Sequence, residues 1–577
     1  MCGILGTTFK TDNMEKALMT IKHRGPDGSR IEEFPQGKLG FVRLSIRDLS
    51  ETAMQPMSNN DRNVWLLFNG EIYREKALRD KLIEKGYKFR TTSDTEVILN
   101  AYLEYGEKFI EYIDGMFAIA VIDLRKMKIF LYRDRVGIKP LMYYYDGNGI
   151  SFASEIKAIL ELHKGKKFER DNSAIYDYFT YRYIPEPKTL YRNIYKVEPA
   201  TRIEYDINTK VIQKSKYWKL KVNTHFEQQH NEEETCERLR RLISESVESQ
   251  LVSDVPVGTF LSGGIDSSVV SAEIFRKNKK VHAFSMGFEV QNPREKNYDE
   301  TSYAQQLADL YHFPITYGQF DKRQLRKLKN LVSEWFDEPF ADTSCYPTYA
   351  ISNIAKKNEV AVILTGDGGD ELFGGYTRYY DFNQTLKNRK DWTLLSDLYT
   401  KVLKKYLPKE EWKEEFLDAL SLYANKAYAL GRADKNEYIQ KLGIGIGYDD
   451  FWYFRKFDHP ELPPITRCQY IDFKTYLPAD ILTKVDRASM QNSIETRVPL
   501  LDTKIVEFAF ALSQQDRCKE GELKGIVKKA YEGIIPHSIL YKEKKGFSFP
   551  GSYWKSSEKD RWIIWKENFA VTGEKNK

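Results

Sequence analysis

The stretch Val255-Pro-Val-Gly-Thr-Phe-Leu261, running into Ser262-Gly-Gly-Ile-Asp-Ser-Ser268, decides how the second half of this chain is read. An apolar run of strand length ends in a glycine-rich loop, and the loop opens an apolar helical pattern that continues to Lys277. The same order returns in Val281-His-Ala-Phe-Ser-Met-Gly-Phe288, a predicted strand followed by a helix through Tyr311. Further on, Val360-Ala-Val-Ile-Leu364 runs into Thr365-Gly-Asp-Gly-Gly-Asp-Glu-Leu-Phe-Gly-Gly-Tyr376. Parallel strands need a crossover of roughly a dozen residues or more, so strand, loop and helix in alternation predict an α/β domain with a parallel sheet.

Both loops suit phosphate chemistry. The backbone N–H groups of Ser262–Ser268 and the positive end of the helix that follows make an anion cradle, although a glycine turn capped by Ser and Asp has the same composition. The loop lacks the Gly-Lys-Ser/Thr of a Walker loop, so γ-phosphoryl transfer is not implied. The carboxylates of Asp367, Asp370 and Glu371 in a glycine-rich turn fit a hard cation, which takes oxygen ligands. A solvated acidic turn is the plain alternative, and the spacing does not match an EF-hand.

Toward the N-terminus the pattern changes. Phe41–Ile46, Val64–Gly70, Phe117–Asp123, Lys128–Arg133, Leu141–Tyr145 and Ile150–Ser154 are short β-rich runs, several separated by turn residues such as Asp146-Gly-Asn-Gly149. Close strands with short turns predict antiparallel sheets, with the helical stretch 74–86 covering one of them in an α+β domain. The polar segment 210–234, with three consecutive glutamates, has no useful apolar period. The expected division is therefore a first domain over 1–210, a linker over 211–234 and a second domain over 235–577. Beyond Tyr376 the sequence is helical and aromatic, with breaks at Pro478, Pro499 and Pro536.

Composition agrees with two globular domains in 577 residues that are 41% hydrophobic and 30% charged. No apolar run approaches the roughly 20 residues of a membrane helix; Met116–Ile122 is closed by Asp123. The N-terminus does not read as a secretory signal, and five scattered cysteines without C-x-x-C fit a reducing compartment, so a cytoplasmic protein is expected. Eight scattered histidines offer no transition-metal spacing. A net charge of +6 is too small for a nucleic-acid surface and points to small or acidic ligands.

Cys2 follows the initiator Met, and removal of Met1 leaves a cysteine whose own α-amine, with a reference pKa of about 7.7–8.0, can act as the base for its thiol. Alone this is unremarked chemistry; its company is His23-Arg-Gly-Pro-Asp27, Arg43-Leu-Ser-Ile46, Asn69-Gly-Glu71 and Ser93-Asp94. Each block has a bland reading: an exposed strand cation at Arg43, a hairpin turn at Asn69-Gly70, an N-cap at Asp94 for a helix over 95–104. Together they supply an oxyanion site from Asn69 and the Gly70 N–H, a guanidinium for an α-carboxylate, and carboxylates for an α-ammonium. The ligand so described is an amino acid.

At these residues the first domain resembles the glutaminase domain of class II, N-terminal-nucleophile glutamine amidotransferases. That resemblance implies Cys2 as nucleophile and Arg43, Leu44, Ser45, Ile46, Asn69, Gly70, Glu71 and Asp94 around glutamine. Ser262–Ser268 is similar to the pyrophosphate loop of enzymes that adenylate a carboxylate. In that comparison Leu261 and Met286 flank adenosine, the loop N–H groups of Ser262, Gly263, Gly264 and Ser267 hold phosphate, and Asp266 faces magnesium. Asp480–Met490 and Glu495–Asp502 resemble the synthetase signature of the asparagine synthetase family, which implies nucleotide contacts from Thr365 and Gly366, support of adenylate formation by Asp367, metal binding by Asp370 and pyrophosphate binding by Lys524. Here Asp367 stands where the compared family members carry Glu. The resemblance spans nearly the whole chain and is weakest over 381–450.

The implied activity is glutamine-hydrolysing, ATP- and Mg²⁺-dependent amidation of a carboxylate, with aspartate as the first acceptor and a sugar uronate as the alternative. It also implies an internal ammonia passage. The expected partners are small molecules, without nucleic acid or membrane; a homodimer is left open. Asp337, Glu338 and Asp342 either receive an amino group of the acceptor or cap a helix. A tRNA-modifying enzyme would share the pyrophosphate loop but has no use for Cys2, and a non-catalytic relative predicts decay at Cys2, Asp266 or Lys524, which is not seen.

Overall fold

A computed structural model describes residues 1–277, 281–290, 295, 298–388, 420–421, 423–424, 432–445, 447–519, 521–547, 549–553 and 560–570. Most of 381–450, where the resemblance is weakest, lies outside the described residues.

The first domain contains β1 (Gly3–Thr7), β2 (Gly28–Phe34), β3 (Gly37–Arg43), β4 (Met57–Ser58), β5 (Val64–Ile72), β6 (Gly115–Asp123), β7 (Lys128–Arg133), β8 (Met142–Tyr145), β9 (Ile150–Ala153), β10 (Ile194–Lys196), β11 (Thr201–Asp206) and β12 (Ile212–Lys216). They form two six-stranded sheets, ordered β10-β8-β9-β1-β3-β2 and β12-β11-β7-β6-β5-β4. All their pairings are antiparallel, as the short turns predict. The alternation of side chains along a strand explains the layering. On β5, Trp65 and Leu67 point between the sheets, with Ile4 and Phe41 from the other sheet, while Val64, Leu66 and Phe68 point outward. That outer face packs under the helices Lys76–Glu84 and Asp94–Tyr105. The helices Met14–Thr20 and Ile156–Leu162 cover the other sheet.

The segment 211–234, expected as a linker, carries regular structure at both ends. β12 pairs with β11 from Thr201↔Lys216 to Tyr205↔Ile212, and the helix Glu232–Gln250 starts inside the segment. A polar edge strand shows no apolar period because one face and the edge meet water, which is why the sequence hid it. Between them the chain lies on the second domain: the Asn223 N–H donates to Phe510 O at 2.8 Å and Trp218 Nε1 to Glu507 at 2.9 Å.

The second domain holds β13 (Val257–Phe260), β14 (His282–Phe288), β15 (Ile315–Phe320), β16 (Val362–Leu364) and β17 (Glu495–Arg497) in one parallel sheet, ordered β15-β14-β13-β16-β17. The order runs one way from β13 to β15 and the other way to β17, so the crevice between the carboxyl ends of β13 and β16 is a topological switch point, where such sheets bind ligands. The Ser262–Ser268 and Thr365–Tyr376 loops leave those two ends. They touch so closely that a Cβ on Gly366 would stand 2.5 Å from the Ser267 nitrogen.

Candidate active sites

Cys2 sits immediately before β1, an interior strand of its sheet. Its N–H donates to Asn69 Oδ1 at 2.8 Å, and its thiol faces Leu44 O at 3.8 Å. Asn69 is fully buried, and its Nδ2 has no hydrogen-bond partner among the described residues, so the side chain that binds the Cys2 N–H keeps an uncommitted amide donor. Gly70 follows it on β5 with φ 155°, and a Cβ there would lie 2.0 Å from Met116 O, which only glycine avoids. Burial pushes the Cys2 thiol up, against the pull of the nearby N-terminal ammonium. In the chain as translated that ammonium belongs to Met1, which is buried and ion-paired with Glu495.

The other expected glutamine residues gather around this point with two differences. Arg43 is buried, and its guanidinium donates to Ser50 O at 2.7 Å and to Asp48 O, so in this state it ties down the loop after β3. The N-cap expected of Asp94 belongs instead to Ser93, whose hydroxyl accepts from the Thr95 N–H at 3.2 Å. Asp94 begins the helix proper, and its carboxylate receives the Ile72 N–H of β5 at 3.2 Å. Ser45 donates its N–H to Asp27 at 2.7 Å, and Leu44 and Ile46 are buried in an apolar patch with Met1, Tyr73 and Met116.

Glu71 and Asp94 are both buried, and burial together with the Asp94 charge pushes Glu71 up to about 8. Arg47 lies 3.7 Å from Glu71 and 3.9 Å from Asp94. Arg47 adjoins the Arg43–Ile46 motif but carried no signal of its own, since a single arginine after a strand is usually a solvated one.

The second site is a cavity of about 860 Å³ at the switch point. Leu261, Ser262, Gly264, Asp266, Ser267, Met286, Thr365, Gly366, Asp367, Asp370 and Lys524 all line it. Gly263 does not: it turns the loop at φ 81°, where a Cβ would stand 2.7 Å from Glu300 O. Lys524 is not the solvated helix residue that its pattern also allowed. It is 2% exposed, in the left-handed region ahead of the helix Gly525–Tyr531, and its ammonium joins Asp266 to Asp370. Burial opposes its charge, but the two carboxylates hold it well above the ordinary lysine value. Asp370 also pairs with Lys544, and despite burial the two lysines keep it far below the usual carboxylate range.

Asp367 accepts from Thr365 Oγ1 at 2.7 Å, and burial raises its carboxyl, partly countered by Lys484. Lys484, from the Asp480–Met490 motif, lines the cavity together with Lys544 and Arg378, which no motif marked. Of the acidic residues at 337–342, Asp342 lines the cavity, accepts from the Ser344 N–H at 2.9 Å and lies 3.3 Å from Lys484. Asp337 and Glu338 instead pair with Arg487 and Lys196.

No cluster of three or more metal-binding side chains occurs among the described residues. Asp266 Oδ1 is buried without a hydrogen-bond partner, so the pair Asp266 and Asp370 fits magnesium in its usual form, one or two carboxylates with phosphate oxygens and water completing the shell.

A glutamine amidotransferase domain model matches residues 1–218 and an asparagine synthase model residues 238–566. The chain belongs to the asparagine synthase family. It is similar to asparagine synthetase [glutamine-hydrolyzing] 1 of Bacillus subtilis, with 32% identity over 98% of this chain and 89% of that protein. It is also similar to putative asparagine synthetase [glutamine-hydrolyzing] 2 of Methanocaldococcus jannaschii, with 38% identity over 65% of this chain and 76% of that one. A third relative, amidase chyE of Penicillium rubens, is 28% identical over 98% of this chain and 89% of its own length. As a family member the chain is a carbon–nitrogen ligase performing glutamine-dependent, ATP-driven amidation. No helix among the described residues is long and apolar enough to cross a membrane.

In this asparagine synthase family member the two sites meet across a buried charged seam. Arg24 is fully buried: its Nε donates to Cys2 O at 3.2 Å, and its fork grips Asp486 at 2.9 and 3.2 Å and Glu155 at 3.0 Å. Asp486 lies on the helix Thr483–Met490, which also carries Lys484 and Arg487. Lys139 donates to Thr496 O at 3.2 Å, and Ser493 Oγ to His23 O at 2.7 Å. The His23–Asp27 and Asp480–Met490 motifs were legible singly, but nothing in the sequence joined them.

Proposed function

We propose that the chain makes asparagine from aspartate with nitrogen taken from glutamine. The carrying observation is the Lys524 ammonium fixed between Asp266 and Asp370 at the carboxyl ends of β13 and β16, beside loops that shape a nucleotide-sized cavity. Cys2, freed of Met1, attacks the glutamine side-chain carbonyl; Asn69 Nδ2 and the Gly70 N–H receive the oxyanion, ammonia leaves, and water releases glutamate from the thioester. Glu71 and Asp94 face the substrate ammonium and Arg43 its carboxylate.

In the second cavity an oxygen of the acceptor carboxylate attacks the α-phosphorus of ATP, and the departing pyrophosphate gathers charge against Lys524. Asp266 and Asp370 would hold magnesium, which would supply positive charge for the phosphate oxygens. Ammonia then attacks the acyl carbon and AMP leaves. Thr365 fixes Asp367 beside Lys484, two groups placed to manage the proton and charge of that exchange. Ammonia would be protonated in bulk water, so it passes inside the protein from one site to the other. The domain division follows the chemistry, with the first unit ending after β12 and the second beginning at the helix Glu232–Gln250.

A sugar uronate is the second reading. Asp367 is one methylene shorter than the residue in the compared family members and leaves more room on the acceptor side. The test is incubation with ATP, magnesium and glutamine in the presence of aspartate or of uronates, with the carboxylate labelled by ¹⁸O. Labelled AMP and asparagine are expected with aspartate. Amide formation from uronates alone would replace aspartate as acceptor.

A further inference from the structure

The strand β17 is three residues long and belongs by its pairing to the second domain, yet its side chains enter the first. Its backbone lies against the nucleotide loop: the Thr365 N–H donates to Arg497 O at 2.9 Å, and Leu364 is the register partner of Arg497. Arg497 is 1% exposed. Its Nε donates to Glu495 at 2.7 Å and its Nη1 to Gln250 O and Val252 O at 2.7 and 2.6 Å. The remaining nitrogen, Nη2, stands 3.3 Å from Glu71 Oε1 but makes no well-aligned hydrogen bond to any described residue. A buried guanidinium held on three sides by its own domain thus extends an uncommitted donor to a carboxylate of the glutaminase domain.

We propose that Arg497 is a positioning residue for glutamine binding, holding the Glu71 carboxylate toward the substrate ammonium, so that the synthetase domain completes the glutaminase site. This rests on the glutaminase reading given above. Glu71 would otherwise face Asp94 with only Arg47, at 3.7 Å and itself paired with Glu75, to offset the repulsion. Rigid attachment matters because the bonds to Glu495, Gln250 and Val252 fix the guanidinium, so its Nη2 presents positive charge to Glu71 from one fixed point. The same strand binds the Thr365 N–H, so the residue that orients Glu71 is anchored beside the nucleotide loop.

The experiment measures glutaminase kinetics and ammonia-dependent synthesis on the full chain for wild type, Cys2→Ala, Arg497→Lys and Glu495→Gln. Arg497→Lys keeps the charge and loses the fork; the expected result is a KM for glutamine raised at least about 10-fold with kcat within about 3-fold, the pattern of lost binding without lost chemistry. Ammonia-dependent synthesis in the same sample stays within about 3-fold, which reports an intact synthetase domain. Should Arg497→Lys lose that activity, the isosteric Glu495→Gln decides instead, since it loosens the fork without changing volume and is expected to raise the same KM. An unchanged KM in the deciding variant overturns the proposal. If wild-type glutaminase survives Cys2→Ala, it is the glutaminase reading that fails.

Discussion

Lys524 shows what a single residue does here. ATP brings about four negative charges to a pocket already holding Asp266, Asp367 and Asp370, and like charges in a partly dry site repel by several kcal/mol. Lys524→Ala is expected to lower amide synthesis at least about 10²-fold, roughly 2.7 kcal/mol, with glutamine hydrolysis retained. Near-normal synthesis at saturating ATP and magnesium would remove Lys524 from the site. Cys2→Ala should show the opposite split, loss of glutamine-dependent synthesis with ammonia-dependent synthesis kept, read by following the amide product with either nitrogen source. Glu71 adds a pH dependence. Its carboxyl is pushed up to about 8 by burial and by Asp94, with Glu495 adding to the effect and Arg497 and Arg47 opposing it. The folded state therefore binds a proton that the unfolded state has released, so this group's contribution to stability falls as pH rises from about 4.5 to about 8. With glutamine's ammonium placed against Glu71 as proposed, binding favours the ionised form, so KM for glutamine should fall as pH rises toward about 8, and Glu71→Gln should flatten that slope. Cys2 and Lys524 were legible because short motifs surround them. Arg47 and Lys544 were not, and Lys484 and Arg497 were legible only as members of motifs without a role, because what they do comes from partners distant in sequence.

At the scale of elements, long apolar runs carried the reading. β5, β6, β7, β13 and β14 were all visible as alternating or continuous apolar stretches, and the helix Ile265–Lys277 ends at the predicted residue. β17 was read only as part of a motif, since three residues carry no period, and β12 was lost to its polar edge. β1 has five buried residues but lies against the N-terminus, where composition gave chemistry and not structure. The two phosphate loops show why their glycines matter as elements. A Cβ on Gly366 would collide with backbone of the other loop, 2.5 Å from Ser267 N and 2.6 Å from Asp266 C, and backbone cannot give way as a side chain can. Gly366→Ala is expected to cost about 1–3 kcal/mol, the range for overpacking in a filled interior. ATP affinity by calorimetry should fall with the thermal midpoint; unchanged values for both would mean the loops separate more easily than their contact implies.

At the scale of the whole molecule, the chain joins two sites by burying charge between them. Separate domains would be expected to meet through a modest polar surface, yet Arg24, Glu155, Asp486 and Arg487 are all at most 2% exposed. Desolvating such a network is costly, and its members tolerate burial only while each charge keeps its partners. Arg24→Met removes the one cation that touches Cys2 O, Glu155 and Asp486 together. Asp486 is then left buried without its bidentate partner, whereas Glu155 retains Arg487 at 3.2 Å and Lys157 at 3.1 Å. The expected loss is about 3–5 kcal/mol for breaking a buried pair, and it should appear as a lower thermal midpoint. Replacing the stranded carboxylate as well, in Arg24→Met/Asp486→Leu, removes the uncompensated charge and should recover a large part of that stability. Ammonia-dependent synthesis should return with it. Glutamine-dependent synthesis should not, because the hydrogen bond from Arg24 to Cys2 O is still missing. A double variant no more stable than Arg24→Met would show that the seam is held by apolar packing and that the charges only follow it.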